Sequence, residues 1–279
     1  MPSWPRGAQP EFLTATLVQR SECSRTRYHL RYSVMLMSTL EASIRHLTQP
    51  INGQFPRPWM TNMAHPENAR IFVVGYNQAT GFPAALIGSH DDYIDALFNR
   101  NDGSCRKLYE QLRGDDGPSP TRKNIDKLGE SLARESLNDV VETNVICYST
   151  PMSNDLTQKK NKGGKAAGAK IFKEILAIIR PKILIAHGAR TAKEPGRVLS
   201  TQLPAAASNQ AEDVSYARVH THLEGEPYAP IVFVIPSLAP PAWNVWQKWA
   251  EVHLAETCAQ ARKFLDDGAR PRGVEPRLV

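Results

Sequence analysis

The chain has 279 residues, 41% hydrophobic and 22% charged, with 34 Lys+Arg against 28 Asp+Glu for a formal net charge of +6. That composition supplies a core for one large domain or two small ones, and it excludes collagen-like, fibrous and wholly disordered chains. No apolar run approaches the roughly 18 residues of a membrane span, and the first residues (MPSWPRGAQPEF) lack an apolar leader, so a soluble, cytoplasmic protein with no membrane partner is expected.

Cys23, Cys105, Cys147 and Cys258 are isolated thiols with no C-x-x-C pair. Neither a metal site nor any other cofactor is expected from them. The positive excess suits a phosphate-bearing partner, but it equally suits a basic metabolic enzyme.

Residues 1–65 read as an N-terminal extension packed on the core. Pro2, Pro5 and Pro10 make an irregular start, Tyr28 to His46 has the periodicity of one helix, and Pro50, Pro56 and Pro58 break it. A domain over 66–270 follows, then a flexible tail over 271–279. Four β-branched runs read as buried parallel strands: Ile71–Val74, Asn144–Tyr148, Ile183–Ala186 and Ile231–Ile235. Between them fall predicted helices over Asp91–Arg100, Arg106–Leu112, Pro120–Leu137 with Ser119 as N-cap, and Lys165–Ile179. A single long amphipathic helix over Trp243–Leu265 closes the domain. The alternation predicts an α/β fold, a three-layer α/β/α arrangement on a mainly parallel four-stranded sheet. The stretch from Gly188 to Pro230 reads as loop, with Val214 to His222 alternating as an edge strand does.

Ligands of such sheets bind at the carboxyl ends of the strands. Here those ends run into Gly75–Pro83, Ser149–Asp155, His187–Thr191 and Pro236–Pro241, all polar or turn-forming. They are expected to form one rim that carries the functional site.

Two of these ends carry a resemblance. The first strand ends in Gly75-Tyr76-Asn77-Gln78-Ala79, and the last ends in Ile235-Pro236-Ser237 before a long helix. A G-x-N loop after the first strand and a P-S after the last resemble the uracil-DNA glycosylase superfamily, nearest to its mismatch-specific and single-strand-selective branches. The resemblance spans about Ile71 to Leu265 in element order and a handful of residues at motif level. It implies a monofunctional DNA glycosylase that needs no cofactor. A nucleotide is turned out of DNA, the sugar gains oxocarbenium character, water adds, and the base leaves as an anion. Such enzymes serve base-excision repair, and divergent members act on modified bases of viral DNA. DNA is therefore the expected partner, and a monomer the expected state.

Residue by residue, the resemblance gives Asn77 the task of orienting the water, although an asparagine there also caps turns. Gly75 permits close backbone approach. Tyr76 and Phe82 are the aromatics nearest the motif, and Gln78 and Tyr148 complete the expected base pocket. Ile235 stands where family members active on uracil carry His or Asn, and isoleucine has no donor. Many members also read the uracil edge with an asparagine on the second motif-bearing strand, where this chain has Ile146, Cys147, Tyr148 and Ser149, with Asn144 upstream of the expected place. Altered readers imply an altered substrate, a modified or bulkier base rather than uracil.

Other residues offer replacements. His187 ends the third strand and either donates to the leaving base or bonds backbone. Asp91 either supports the sugar cation or simply begins a helix near its positive dipole end. Lys159, Lys160, Lys162 and Lys165 precede a helix after a Gly-Gly break, as phosphate-gripping residues or as a solvated loop. Arg190 and Ser237 on the rim join them as DNA-binding candidates, and Leu238 is the candidate wedge for the space a flipped base leaves. Two rival readings stand beside the glycosylase. One is an inactive nucleic-acid-binding protein with the same fold; the other is an unrelated α/β enzyme, although no G-x-S-x-G, P-loop or G-x-G-x-x-G is present.

Overall fold

A computed structural model describes residues 39–207 and 211–267. The strands are β1 (Gln54–Phe55), β2 (Ile71–Asn77), β3 (Phe82–Pro83), β4 (Val140–Ile146), β5 (Ile183–His187), β6 (Tyr216–Arg218), β7 (Thr221–Leu223), β8 (Glu226–Tyr228) and β9 (Ile231–Ile235). The helices are α1 (39–47), α2 (Ala84–Ile87), α3 (His90–Leu97), α4 (Cys105–Arg113), α5 (Pro120–Arg134), α6 (Gly164–Ile179), α7 (Ala189–Val198), α8 (Ala242–Trp246) and α9 (Ala250–Asp266). The expected helix over Tyr28–His46 is present over its described part. Residues 28–38, Cys23 and the expected tail at 271–279 lie outside the described residues.

The fold is α/β in three layers, on a sheet ordered β4-β2-β5-β9-β6. That is five strands rather than the expected four. β6 adds an antiparallel edge on β9, within the stretch whose alternation suggested an edge strand. β2, β4, β5 and β9 are mutually parallel. One face carries Ile71, Val73, Ile183, Ile185, Ile231 and Phe233 and packs on α5, α8 and α9 through Leu128, Leu132, Trp246, Leu254, Cys258 and Ala261. The other carries Phe72, Val74, Leu184 and Val232 and packs on α6 through Ile171, Phe172, Ile175 and Leu176, and on α1 through Leu40 and Ile44. Each burial class follows from β period 2: alternate residues of one strand serve opposite cores.

Three expectations shift. The strand expected at 144–148 runs instead over Val140–Ile146. Its first half alternates polar with apolar, and β4 is bordered only by β2 within the sheet, so the apolar-run signal begins late. The loop expected after Gly188 contains α7, whose Pro195 hides it from helix periodicity. The long C-terminal helix divides into α8 and α9, with Gln247, Lys248 and Trp249 between them.

The segment before β2 lies along β4. Met60 and Glu142 exchange backbone hydrogen bonds, Arg57 N–H donates to Cys147 O, and Thr143 Oγ1 donates to Pro58 O at 2.6 Å. This covers a strand whose outer edge would otherwise be unpaired. Among the described residues no helix is long and apolar enough to cross a membrane.

α6 sits unusually close to the end of β4. A Cβ on Gly168 would lie 2.8 Å from Cys147 N and 2.9 Å from Tyr148 N, both backbone atoms that cannot yield. On α5, a Cβ on Gly129 would meet nothing within 4 Å. The two glycines therefore predict opposite outcomes in urea unfolding: Gly168→Ala lowers stability by about 1–3 kcal/mol through overpacking, and Gly129→Ala raises it by about 0.5–1 kcal/mol through helix propensity.

Candidate functional site

The carboxyl ends of β2, β4, β5 and β9 open on a cavity of about 490 Å³, within the range of small-molecule sites. The register fixes its floor. Gly75 pairs with Asn144, Val74 pairs with Ala186 so that His187 follows at the level of Gly75, and His187 pairs with Ile235. Partners in parallel register project to the same face. A Cβ on Gly75 would lie 2.5 Å from Asn144 Oδ1 and 3.0 Å from His187 Nε2. The missing side chain is thus what lets the amide and the imidazole converge at one point.

Asn77 lines the cavity at the end of β2. Its Nδ2 donates to Thr150 Oγ1 at 2.9 Å, with longer contacts to the carbonyls of Thr150 and Gln78. Its Oδ1 has no hydrogen-bond partner among the described residues and is left as an acceptor. Gln78 also lines the cavity, but both ends of its amide are engaged, Nε2 with Arg57 O at 2.5 Å and Oε1 with Ser149 Oγ at 3.1 Å. It positions the loop rather than reading a ligand.

His187 is 7% exposed, and its Nδ1 is buried without a hydrogen-bond partner among the described residues. Burial, and then the Arg122 guanidinium nearby, push its pKa down from 6.5 to about 4. The ring is therefore neutral near pH 7, with one donor and one acceptor nitrogen. Asn144 makes no hydrogen bond through its side chain to the described residues, and its amide borders the cavity.

On the β4 side the wall is charged. Arg122, on the first turn of α5, is 8% exposed through its side chain and forms a two-pronged pair with Glu142, with Nη2 to Oε1 at 2.8 Å. It also bonds Asp126, which Arg106 shares. Ser119 caps α5 by accepting from Arg122 N–H, so the helix start fixes where this guanidinium emerges. Arg57 lines the same wall. At the mouth, Arg190 stacks over Tyr76 at 4.5 Å and donates to Ser153 Oγ at 2.7 Å.

Of the residues singled out in the sequence, Gly75, Tyr76, Asn77, Gln78, His187, Arg190 and Ser237 line one cavity. Five others do not. Asp91 pairs with Arg45 on the exposed start of α3, its side chain 81% exposed. Phe82 is fully buried, edge-on to Tyr93. Tyr148 is fully buried, its hydroxyl donating to Asn161 and accepting from Asn52. Ile235 belongs to the core beneath α8 and α9. Leu238 is fully buried in that core, its carbonyl held by Asn124 Nδ2 at 2.8 Å, so it is no exposed wedge. In each case the backbone position was at the rim and the side chain turned into the core, except for Asp91, which turns to solvent. Lys159, Lys160, Lys162 and Lys165 are exposed on the turn leading into α6, away from the cavity lining.

Asn144 departs furthest from expectation. It is not upstream of the site, because β4 starts four residues earlier than the apolar run suggested and its register sets Asn144 beside Gly75. Arg57, Arg122, Glu142 and Thr150 were not anticipated. The polar half of β4 carried a signal for Glu142 and Asn144, since polar residues inside an alternating strand mark a solvated or functional face; Arg57 sits in a proline-broken segment with no periodicity to place it. No protein-family model matches the chain, and no curated protein does.

The depressed pKa of His187 has a sign. Between pH 6.5 and about 4 the unfolded chain binds a proton that the folded chain refuses, so stability falls as pH falls through that window. Urea unfolding is expected to show a steep loss of stability over this range, and His187→Gln a shallower one. The difference is on the order of 3 kcal/mol at the acid end.

Proposed function

We propose that the protein is a monofunctional DNA glycosylase that holds an extruded nucleotide in this cavity and hydrolyses its N-glycosidic bond. The observation that carries the reading is the convergence of Asn77, Asn144 and His187 around a glycine floor, at the strand ends where a G-x-N loop and a P-S loop meet. Each group suits a part of the reaction. Asn77 Oδ1 accepts from the attacking water while its Nδ2 stays tied to Thr150. The water oxygen bonds to C1′, the C1′–N bond breaks, its electron pair leaves with the base, and the proton the water gives up passes through solvent to the departing base anion. A neutral His187 donates to that developing anion without the penalty of a buried charge, and Asn144 reads the base edge. No lysine lines the cavity among the described residues, which favours attack by water over a Schiff base.

Asn144 supplies the edge-reading amide that residues 146–149 lack, so the altered reader is the apolar Ile235 alone. The surrounding arginines and the cavity's size favour a base larger than uracil. Tyr76 under Arg190 offers a stacking surface at the cavity, and Met152, apolar, 68% exposed and in the same lining, takes the wedge role expected of Leu238. Repair and defence against modified viral DNA share this chemistry.

Incubation with DNAs carrying different natural base modifications, read by mass spectrometry, is expected to release a free base and leave an alkali-labile site. Asn77→Ala lowers release by at least about 100-fold, in line with the loss of a group that acts in the transition state. Gly75→Ala also abolishes it while the fold persists. DNA binding without release over the whole panel would favour the inactive binding protein. Full activity of Asn77→Ala removes the basis of the proposal.

The lysine turn predicts a separate effect. Lys159, Lys160, Lys162 and Lys165 form no ion pair with a carboxylate among the described residues. Replacing them with Ala is expected to weaken DNA binding and to flatten the plot of log affinity against log salt by about one unit of slope for each phosphate no longer neutralised. An unchanged slope places the phosphate-binding groups elsewhere.

A further inference from the structure

The charged lining of the cavity is unbalanced. Among the described residues, Arg57, Arg122 and Arg190 line it against a single carboxylate, Glu142, and that carboxylate has both oxygens engaged by Arg122. Arg122 is further served by Asp126, and Arg190 lies at the mouth on Tyr76 and Ser153. Neither Arg57 nor Arg190 has a carboxylate partner among the described residues, and of the two Arg190 is exposed whereas Arg57 is half-buried. The Nη1 of Arg57 is shut off from solvent and has no hydrogen-bond partner among those residues. The guanidinium lies over the Phe82 ring at 5.1 Å, and its backbone is held by Cys147 O and by the Gln78 amide, so the side chain is directed by fixed neighbours.

Burial pushes the Arg57 pKa down, opposed by Cys105 and Tyr93 and, to a smaller extent, supported by Arg122. A guanidinium nevertheless stays protonated in proteins. A half-buried cation with a shielded Nη1 and no carboxylate partner carries a desolvation cost, and an oxyanion presented to the accessible part of the guanidinium offsets that cost with charge-assisted hydrogen bonds. A neutral amide or carbonyl edge does not balance the charge. The neutral readers of the cavity, Asn144 and His187, already suit such an edge.

We propose that the base accepted by this cavity carries an anionic substituent, a carboxylate or similar oxyanion, and that Arg57 binds it. The inference rests on the reading of the cavity as a base pocket, and it narrows the modified base to an acidic one. Arg57 is a substrate-specificity residue here, distinct from the groups that act at C1′.

The test uses the full chain and two single-stranded oligonucleotides that differ in one substituent group and in charge. One contains 5-carboxymethyl-2′-deoxyuridine and the other its carbamoylmethyl amide. Fluorescence anisotropy measures binding, and mass spectrometry measures base release. The acid is expected to bind at least about tenfold more tightly than the amide, the worth of one charge-assisted hydrogen bond in a buried site. Arg57→Gln brings the ratio to about one and Arg57→Lys, which keeps the charge, retains part of it. Circular dichroism and thermal unfolding identify a variant that fails to fold, and Arg57→Lys then carries the comparison through a reduced ratio. Equal or absent binding of the two oligonucleotides by the native chain overturns the proposal, as does a ratio that survives Arg57→Gln. If Arg57→Gln weakens both oligonucleotides alike and the native ratio is one, Arg57 binds a backbone phosphate and the proposal falls. Preference for the acid without base release keeps this inference and removes the hydrolytic reading; base release without preference does the reverse.

Discussion

The in-register alignment of β4, β2 and β5 is the constraint on which the site depends. It sets Asn144, Gly75 and His187 at one level on one face, and the glycine leaves the middle of that row empty. Neighbouring strands lie about 4.8 Å apart, so side chains on the two outer strands meet only if the central strand offers no Cβ between them. A slip of one residue would turn every one of these side chains to the other face. The hydrophobic pattern guards against that slip. Ile71 and Val73 precede Gly75 on the same face as Ile183 and Ile185 before His187, and moving any strand by one would expose its core residues. The apolar core beneath α5 and α9 thus sets the geometry of the polar groups above it.

Desolvation gives this row its electrical character. Burial keeps His187 neutral, and Arg57 is left charged without a carboxylate partner among the described residues, while Arg122 is neutralised by Glu142 and Asp126. The result is a wall that resists protonating its imidazole and favours negative charge in the space it encloses. Both properties arise from the same helix start and the same strand edge. Ser119 fixes Arg122 at the first turn of α5, and Met60 seals the edge of β4 beside Glu142. Low local dielectric strengthens any favourable interaction formed there and penalises an unmatched one.

Much of this was legible from residue type alone, for identifiable reasons. Buried parallel strands are continuous β-branched runs, so β2, β5 and β9 stand out, and with them the rim that carries Asn77, His187 and Ser237. β4 begins four residues before its apolar run because one of its edges meets a loop segment instead of a strand, and its alternation lets Glu142 and Asn144 enter it. That single shift hides Asn144 from a reading by residue type. Phe82, Tyr148 and Leu238 look like site residues because sequence gives a side chain's place along the chain but not its direction; each turns into the core. α7 is hidden by Pro195, and Arg57 by its proline-broken surroundings, where no period exists to be read. Long-range pairing places both, and long-range pairing leaves no local signature.

The apolar residue at the end of β9 then takes on a different meaning. Ile235 is the register partner of His187, at the same level and on the same face, but it is 1% exposed and packed into the core with Trp243 and Trp246. A donor at Ile235 would have to bury a polar group among tryptophans without a partner, at a cost of several kcal/mol. His187, one strand inward, reaches the space over Gly75 directly. On the proposed reading, leaving-group stabilisation has moved by one strand spacing across the sheet rather than disappeared. The displaced donor approaches the base from the side of β5, which leaves the β4 side, with Arg57 and the Arg122–Glu142 pair, free to meet whatever the base carries beyond its ring.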